Sequence, residues 1–108
     1  MATVYKVLGQ SNPSATTLTT LYTVPSATST VASTLSVCNQ GASTTFRVAV
    51  RPAGAAIAAS QYLVYDATVN ANDALFFTLG ITLATTDVVS VYAGTANVSF
   101  SLFGSEIS

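Results

Sequence analysis

Apolar side chains alternate with smaller or more polar ones, with a period of two, along the last third of the chain, residues 73–107. Clusters of Gly, Asn, Asp and Thr divide this alternation into three short runs. The runs contain Leu75, Phe77 and Leu79; Val89 and Val91; and Val98, Phe100 and Leu102. Successive side chains of a β-strand point to opposite faces, so this period is typical of strands joined by turns. The segment predicts three strands, and the rest of the chain must supply strands that pair with them.

The preceding residues predict five further strands of similar length. Their expected bounds are 3–8, 17–24, 30–39, 44–51 and 61–69. Within the third of them, alternation places Val31 in phase with Leu35 and Val37. No helical period is present, and turn-forming residues recur about every ten positions. This spacing predicts an all-β fold: a single antiparallel β-sandwich or jelly roll of about eight strands. The domain spans residues 1–108, of which 1–15 form an N-terminal strand or arm.

Charged residues are unusually rare in this chain. They make up 6% of it, whereas an ordinary soluble domain has about 25%. Ser and Thr, 30 residues together, occupy the polar positions instead. A monomer with so few charges has little to prevent association. We therefore expect much of the surface to lie in permanent contacts with other subunits; the alternative is a Thr-rich β protein that is simply neutral.

Charge and cysteine content exclude several classes of protein. The net charge of −1 gives no electrostatic footprint for nucleic acid. No apolar run reaches the roughly eighteen residues of a membrane helix, and the N-terminus lacks the pattern of a secretory signal. Cys38 is the single cysteine, which excludes an internal disulfide framework and a cysteine-based metal site. These observations fit synthesis in a reducing cytoplasm, with no membrane or nucleic-acid partner.

Residues suited to catalysis are almost absent. The chain has no histidine, the commonest acid–base group. Its four acids, Asp66, Asp73, Asp87 and Glu106, are dispersed through turns and the C-terminal segment. We therefore predict no catalytic, cofactor-binding or metal-binding residues, and no enzyme activity. The five tyrosines are scattered along the sequence, which favours packing over a stacking platform for sugars or bases.

Two of the three basic residues, Arg47 and Arg51, share one face of the fourth predicted strand. One interpretation is that they form a solvated face. The other is that they pair with acids of a neighbouring subunit, because the arginine fork matches a carboxylate. Under the second interpretation, both are candidate subunit-interface residues.

A series of segments, in this order along the chain, resembles a family of small tailed-bacteriophage virion structural proteins. The resemblance covers nearly the whole chain from Thr17 onward. Its segments are Leu21–Pro25, Val37–Asn39, Phe46–Pro52, Gln61–Asp66, Leu79–Leu83, Thr86–Ala93 and Ser99–Ile107.

The resemblance implies a component of the virion that is made in the bacterial host cytoplasm. Small β-sandwich proteins on phage heads typically form trimers that clamp neighbouring capsid subunits, so it implies first a capsid decoration, or cement, protein bound to the major capsid protein. A tail-associated component (fibre, baseplate or neck) is the alternative, and a host-surface carbohydrate-binding module is a third. Because the C-terminal segment is among the most family-like, Phe103 and Glu106 join the candidate subunit-interface residues.

Overall fold

The chain forms eight strands and two short 3₁₀ turns in a computed structural model that describes residues 2–108. The 3₁₀ turns are Pro52–Gly54 and Ala59–Gln61. The strands are β1 (Thr3–Ser11), β2 (Thr19–Thr23), β3 (Ser29–Asn39), β4 (Thr44–Arg51), β5 (Tyr62–Val69), β6 (Ala74–Leu83), β7 (Val88–Ala93) and β8 (Val98–Ile107).

The strands form two four-stranded antiparallel sheets, in the orders β1-β8-β3-β6 and β2-β7-β4-β5. The first strand pairs with the last, β2 with β7, β3 with β6, and β4 with β5. Only the connection from β4 to β5 stays within one sheet, and every other connection crosses to the opposite sheet. This pairing is that of a jelly roll. The predicted all-β sandwich is confirmed.

A cluster of aromatic side chains joins the two sheets in the core. Phe46 of β4 and Phe100 of β8 are fully buried, and their ring centroids lie 6.1 Å apart. Phe77 of β6 packs against Phe46 with the same centroid separation. Tilted rings at this spacing stabilise a core beyond the area that they bury. The inward alternation of β4 and β8 therefore holds the sandwich together at its centre.

A β-bulge in β3 changes which residues face the core. The pairing register shifts between Ala32 and Thr34, and one extra residue reverses the alternation beyond it. Ala32 and Leu35 are therefore buried, whereas Val31 is half-buried on the opposite face. The expectation that Val31 lies in phase with Leu35 was wrong for this reason. Gly104 of β8 fits the bulge, because a Cβ there would lie 2.1 Å from the Val31 carbonyl oxygen.

The C-terminal strand β8 lies inside its sheet, paired with β1 on one side and with β3 on the other. Its last residue, Ile107, pairs with both Thr3 and Ser29. Beyond it, the amide of Ser108 donates to the carbonyl of Ala2 at 2.9 Å. The segment from Phe103 onward is thus a fully paired strand, which makes it part of the folded sheet.

Truncation of Phe100 tests the core. We expect Phe100→Ala to lower the free energy of unfolding by about 3–5 kcal/mol, because it removes a fully buried ring and leaves a cavity. Phe76→Ala is the matched control, since that side chain is 72% exposed. Urea unfolding of both variants measures the difference. Equal stability of Phe100→Ala and the unmodified protein would contradict the described core.

Candidate functional site

Side chains suited to metal binding do not come together within the described range, 2–108. No group of three or more His, Cys, Asp and Glu side chains there is placed to hold a metal ion. None of the helical segments in that range is long and apolar enough to cross a membrane. The features that could bind a partner lie on the two outer faces of the sandwich.

The central part of the outer face of the β1-β8-β3-β6 sheet has three cross-strand rows of side chains, which we call the uncharged face. The rows follow directly from the pairing register. They are Tyr5, Ser105, Val31 and Thr82; Val7, Phe103, Thr34 and Thr78; and Gln10, Ser101, Ser36 and Phe76. Serine and threonine fill the positions between the larger side chains, and no row contains a charged residue.

Large apolar side chains are exposed on this uncharged face. Tyr5 is 84% exposed and Phe76 is 72% exposed. Tyr5, Val31 and Phe103 line one shallow cavity on it, and Lys6, which is paired with Glu106, lies at the same cavity. Tyr5 and Phe76 lie on the two edge strands of the sheet, with the half-buried Val31 and Phe103 between them, and an apolar surface of this kind is a candidate interaction surface. The structure therefore places Phe103, a predicted interface residue, in the middle of this face.

Glu106 forms a hydrogen-bonded network with residues of its own chain. Lys6 Nζ donates to Glu106 Oε1 at 3.1 Å, and the Tyr22 hydroxyl donates to Glu106 Oε2 at 2.5 Å. The hydroxyls of Tyr22 and Thr30 lie 2.7 Å apart. Because the phenol has one proton, which goes to the carboxylate, Thr30 donates to Tyr22. The network ties β2 of one sheet to β1, β8 and β3 of the other.

This environment shifts the pKa values of two of these groups. The hydrogen bond from Tyr22, followed by that from Lys6, lowers the pKa of Glu106, while burial opposes the shift. Burial, and then the adjacent Glu106, raise the pKa of Tyr22 to about 12. Glu106 is thus held as a carboxylate and Tyr22 as a phenol. The sequence predicted Glu106 as an interface residue, and the structure places its carboxylate in contacts within its own chain.

Arg47 lies at the centre of a cluster on the outer face of the other sheet. Its Nε donates to Asp66 Oδ1 at 2.6 Å and its Nη2 donates to Asp66 Oδ2 at 3.2 Å. The guanidinium carbon lies 4.2 Å from the ring centroid of Tyr65 and 4.4 Å from that of Tyr92. The hydrogen-bonded ion pair lowers the pKa of Asp66 and raises the pKa of Arg47. The arginine fork is paired within its own chain.

Arg51, the other basic residue of β4, fixes the loop that follows it. Its Nε donates to the Ala55 carbonyl at 2.8 Å and its Nη2 donates to the Gly54 carbonyl at 3.0 Å. Its Nη1 also reaches the Ser90 hydroxyl at 3.4 Å. The two arginines were predicted to be solvated or to bind a neighbour's acids. Within its own chain, Arg51 bonds two carbonyls and a hydroxyl, and Arg47 bonds a carboxylate.

Three of the five tyrosines gather around Arg47, although they are separated in sequence. Tyr62 and Tyr65 of β5 have ring centroids 4.9 Å apart in an edge-to-face arrangement, and Tyr92 comes from β7. Sequence alternation places residues three apart on opposite faces of a strand, so it missed this group. The register of β4 with β5 shifts between Val48 and Ala49, where Leu63 is an extra residue of β5, and this brings Tyr62 to the face of Tyr65. The pattern of residues contains no signal for that shift.

No family model matches the chain, and comparisons with curated proteins and with solved structures found no match either.

Replacement of Glu106 tests the network that joins the sheets. Folding lowers the pKa of Glu106. The ionised carboxylate therefore stabilises the fold fully above the ordinary glutamate pKa of about 4.3, and this contribution is lost as the pH falls through the pKa of the folded state. We expect Glu106→Gln to lower the free energy of unfolding by about 1 kcal/mol at pH 7. The difference should shrink on acidification to about pH 3, as measured by urea unfolding.

Asp73→Asn is the control for loss of one negative charge. The Asp73 side chain accepts only from the backbone amide of the next residue, Ala74, and an asparagine oxygen can accept the same hydrogen bond. A deficit of Glu106→Gln that stays constant between pH 7 and about pH 3 would show that the ionised carboxylate is not what stabilises the fold.

Proposed function

We propose that this protein is a structural component of a bacteriophage virion, and that it acts as a capsid decoration protein. The observation that carries the proposal is the uncharged face: three cross-strand rows of the outer sheet surface that contain no charged residue, with Tyr5 and Phe76 exposed on them. Such a surface tends to associate in isolation, and burying it against neighbouring subunits removes apolar area from water. The resemblance of the segments from Thr17 onward supports the same conclusion.

The proposed partners are the major capsid protein and further copies of this chain, arranged as a trimer. A face without charge can pack against a second copy of itself with no like-charge repulsion, so self-association and lattice binding are both compatible with it. Phe103 lies at the centre of this face and is the interface residue that the geometry favours. The two arginines and Glu106 support the fold that presents it. The proposed role requires no catalysis and no cofactor.

Stabilisation of the particle would follow from mass action. A protein that binds the assembled lattice, and not the separated subunits, lowers the free energy of the assembled state relative to rupture. Each contact can be modest, since repetition around a closed shell adds their effects. Binding to a tail structure would use the same face, so the number of copies per particle is what separates head from tail.

Copy number and position in the particle provide the first test. We expect hundreds of copies per virion, comparable to the major capsid protein on a densitometry gel, and density for the sandwich on the outside of the head in a particle map. A copy number in the tens, or density located on the tail, would contradict the decoration role and favour the tail-associated alternative. Absence of the protein from purified particles would contradict both.

Charges introduced into the uncharged face provide the second test. We expect the double variant Tyr5→Glu, Phe76→Glu to fold with a free energy of unfolding within about 0.5 kcal/mol of the unmodified protein, because both side chains are exposed. Its incorporation into particles should fall more than about tenfold, since burial of the new charges would require their desolvation.

Thr20→Glu is the matched control, because Thr20 is exposed on β2 of the opposite sheet. It introduces the same side chain away from the uncharged face and should be incorporated normally. If the double variant enters particles as well as Thr20→Glu does, the uncharged face is not the surface that contacts the particle.

A further inference from the structure

The tyrosine–arginine cluster on the β2-β7-β4-β5 sheet is a second surface with a different chemistry. It consists of Arg47, Asp66, Tyr62, Tyr65 and Tyr92. An open cavity of about 460 Å³ lies beside it, lined by Tyr62, Tyr65 and the loop residues Ile57–Ala59. That volume is in the range of sites that bind small molecules. The cavity thus has an aromatic wall on one side and an apolar loop on the other.

A distortion of β5 builds this cluster. At a second register shift, Tyr65 and Asp66 together occupy the stretch opposite Arg47, and Asp66 has a φ of 53°, in the left-handed region. Aspartate enters this region at an energetic cost. A regular strand would direct Tyr65 and Asp66 to opposite faces. The bulge instead brings an aromatic ring and a carboxylate to one arginine.

The polar groups of this cluster are held in place by the ion pair, and some of their donor and acceptor positions have no partner within the cluster. The ionised Asp66 side chain, 42% exposed, has about four acceptor sites, of which the arginine occupies two. Arg47 has five N–H groups, of which two bond Asp66, and its side chain is 23% exposed. Donors and acceptors are thus presented side by side next to a ring. The paired charges cancel, so the cluster offers no net attraction for an anion.

The loop on the far side of the cavity is also fixed in place. Arg51 holds it through the carbonyls of Gly54 and Ala55, and the amide of Ala58 donates to the Gln61 side chain at 3.0 Å. Ile57 remains 40% exposed and faces the cavity. A ligand would therefore meet two preformed walls, and binding would require little ordering of the protein.

We propose that this cluster is a binding site for a neutral saccharide. A sugar ring has an apolar C–H face, which packs on an aromatic ring, and hydroxyls that each donate and accept. Tyr65, 60% exposed, supplies the ring, Asp66 supplies acceptors, and Arg47 supplies donors. A phosphate or an acidic peptide would require net positive charge, which the ion pair removes.

The inference concerns a different sheet from the uncharged face, so it holds whether the protein lies on the head or on the tail. A decoration protein that carries this site would present a weak sugar-binding surface to the outside of the particle in many copies. Repetition would convert weak individual binding into strong attachment to a glycan-coated surface.

The experiment is an NMR titration of the ¹⁵N-labelled full chain with methyl glycosides of glucose, galactose, mannose and N-acetylglucosamine, each at millimolar concentration. We expect at least one of them to shift the amides of β5 and of the 57–61 loop. Tyr65→Ala should weaken that binding about tenfold, which corresponds to about 1.4 kcal/mol, and Tyr65→Phe should retain most of it, because the ring face is kept.

Tyr5→Ala is the matched control, because it removes an exposed tyrosine from the uncharged face and should leave saccharide binding unchanged. Shifts confined to other surfaces, or the same affinity for Tyr65→Ala as for the unmodified chain, would overturn the proposal. An absence of saccharide binding would also overturn the proposal. If Tyr65→Ala lowered incorporation into particles, the cluster would be a contact with another protein and not a saccharide site. None of these results depends on the test of the uncharged face.

Discussion

The pairing of β8 with β1 on one side and β3 on the other is the interaction on which the rest of the structure depends. This one strand supplies Phe100 to the core, Phe103 to the uncharged face and Glu106 to the network between the sheets. Without it, β1 would separate from β3 and one sheet would be divided. The close approach at Gly104 lets β8 follow the bulge of β3 without a break in pairing.

Much of this fold follows from the sequence, because alternation and turn residues are local signals. The predicted strands 30–39, 44–51 and 61–69 differ from β3, β4 and β5 by one residue or less at each end. The first strand extends further than predicted, to Ser11, because its pairing with β8 continues beyond the irregularity between Val7 and Gly9. Apolar periodicity cannot report such pairing, since the partner strand lies about ninety residues away.

The surfaces were less predictable than the fold, and bulges are the physical reason. A bulge shifts alternation by one residue and so changes the face of every side chain beyond it. Val31 was assigned to the wrong face by this effect, and the grouping of Tyr62 with Tyr65 was missed by it. Arg47 was interpreted either as part of a solvated face or as a partner for acids of a neighbouring subunit, and local alternation contains no signal for its pairing with Asp66 of β5. Composition gave better guidance, since the scarcity of charge was apparent before any contact was known.

The two outer faces divide the chemistry of the molecule. One is an uncharged surface of Ser, Thr and apolar side chains, which we propose contacts the particle. The other has the paired charges of Arg47 and Asp66 among tyrosines, beside an open cavity. The three basic residues all have partners within the chain, and none of them belongs to the three rows of the uncharged face.

The nested pairing of the jelly roll has a consequence for the order of folding. Only β4 and β5 are both adjacent in sequence and paired, and each further pair, out to β1 with β8, closes a longer loop. Loop closure costs more entropy as the loop lengthens, which favours growth outward from the β4–β5 hairpin. During synthesis β1 precedes β8 by roughly 5–20 s at elongation rates of about 5–20 residues per second. For that interval its apolar residues have no partner strand, and the low charge of the chain makes this the stage most exposed to aggregation.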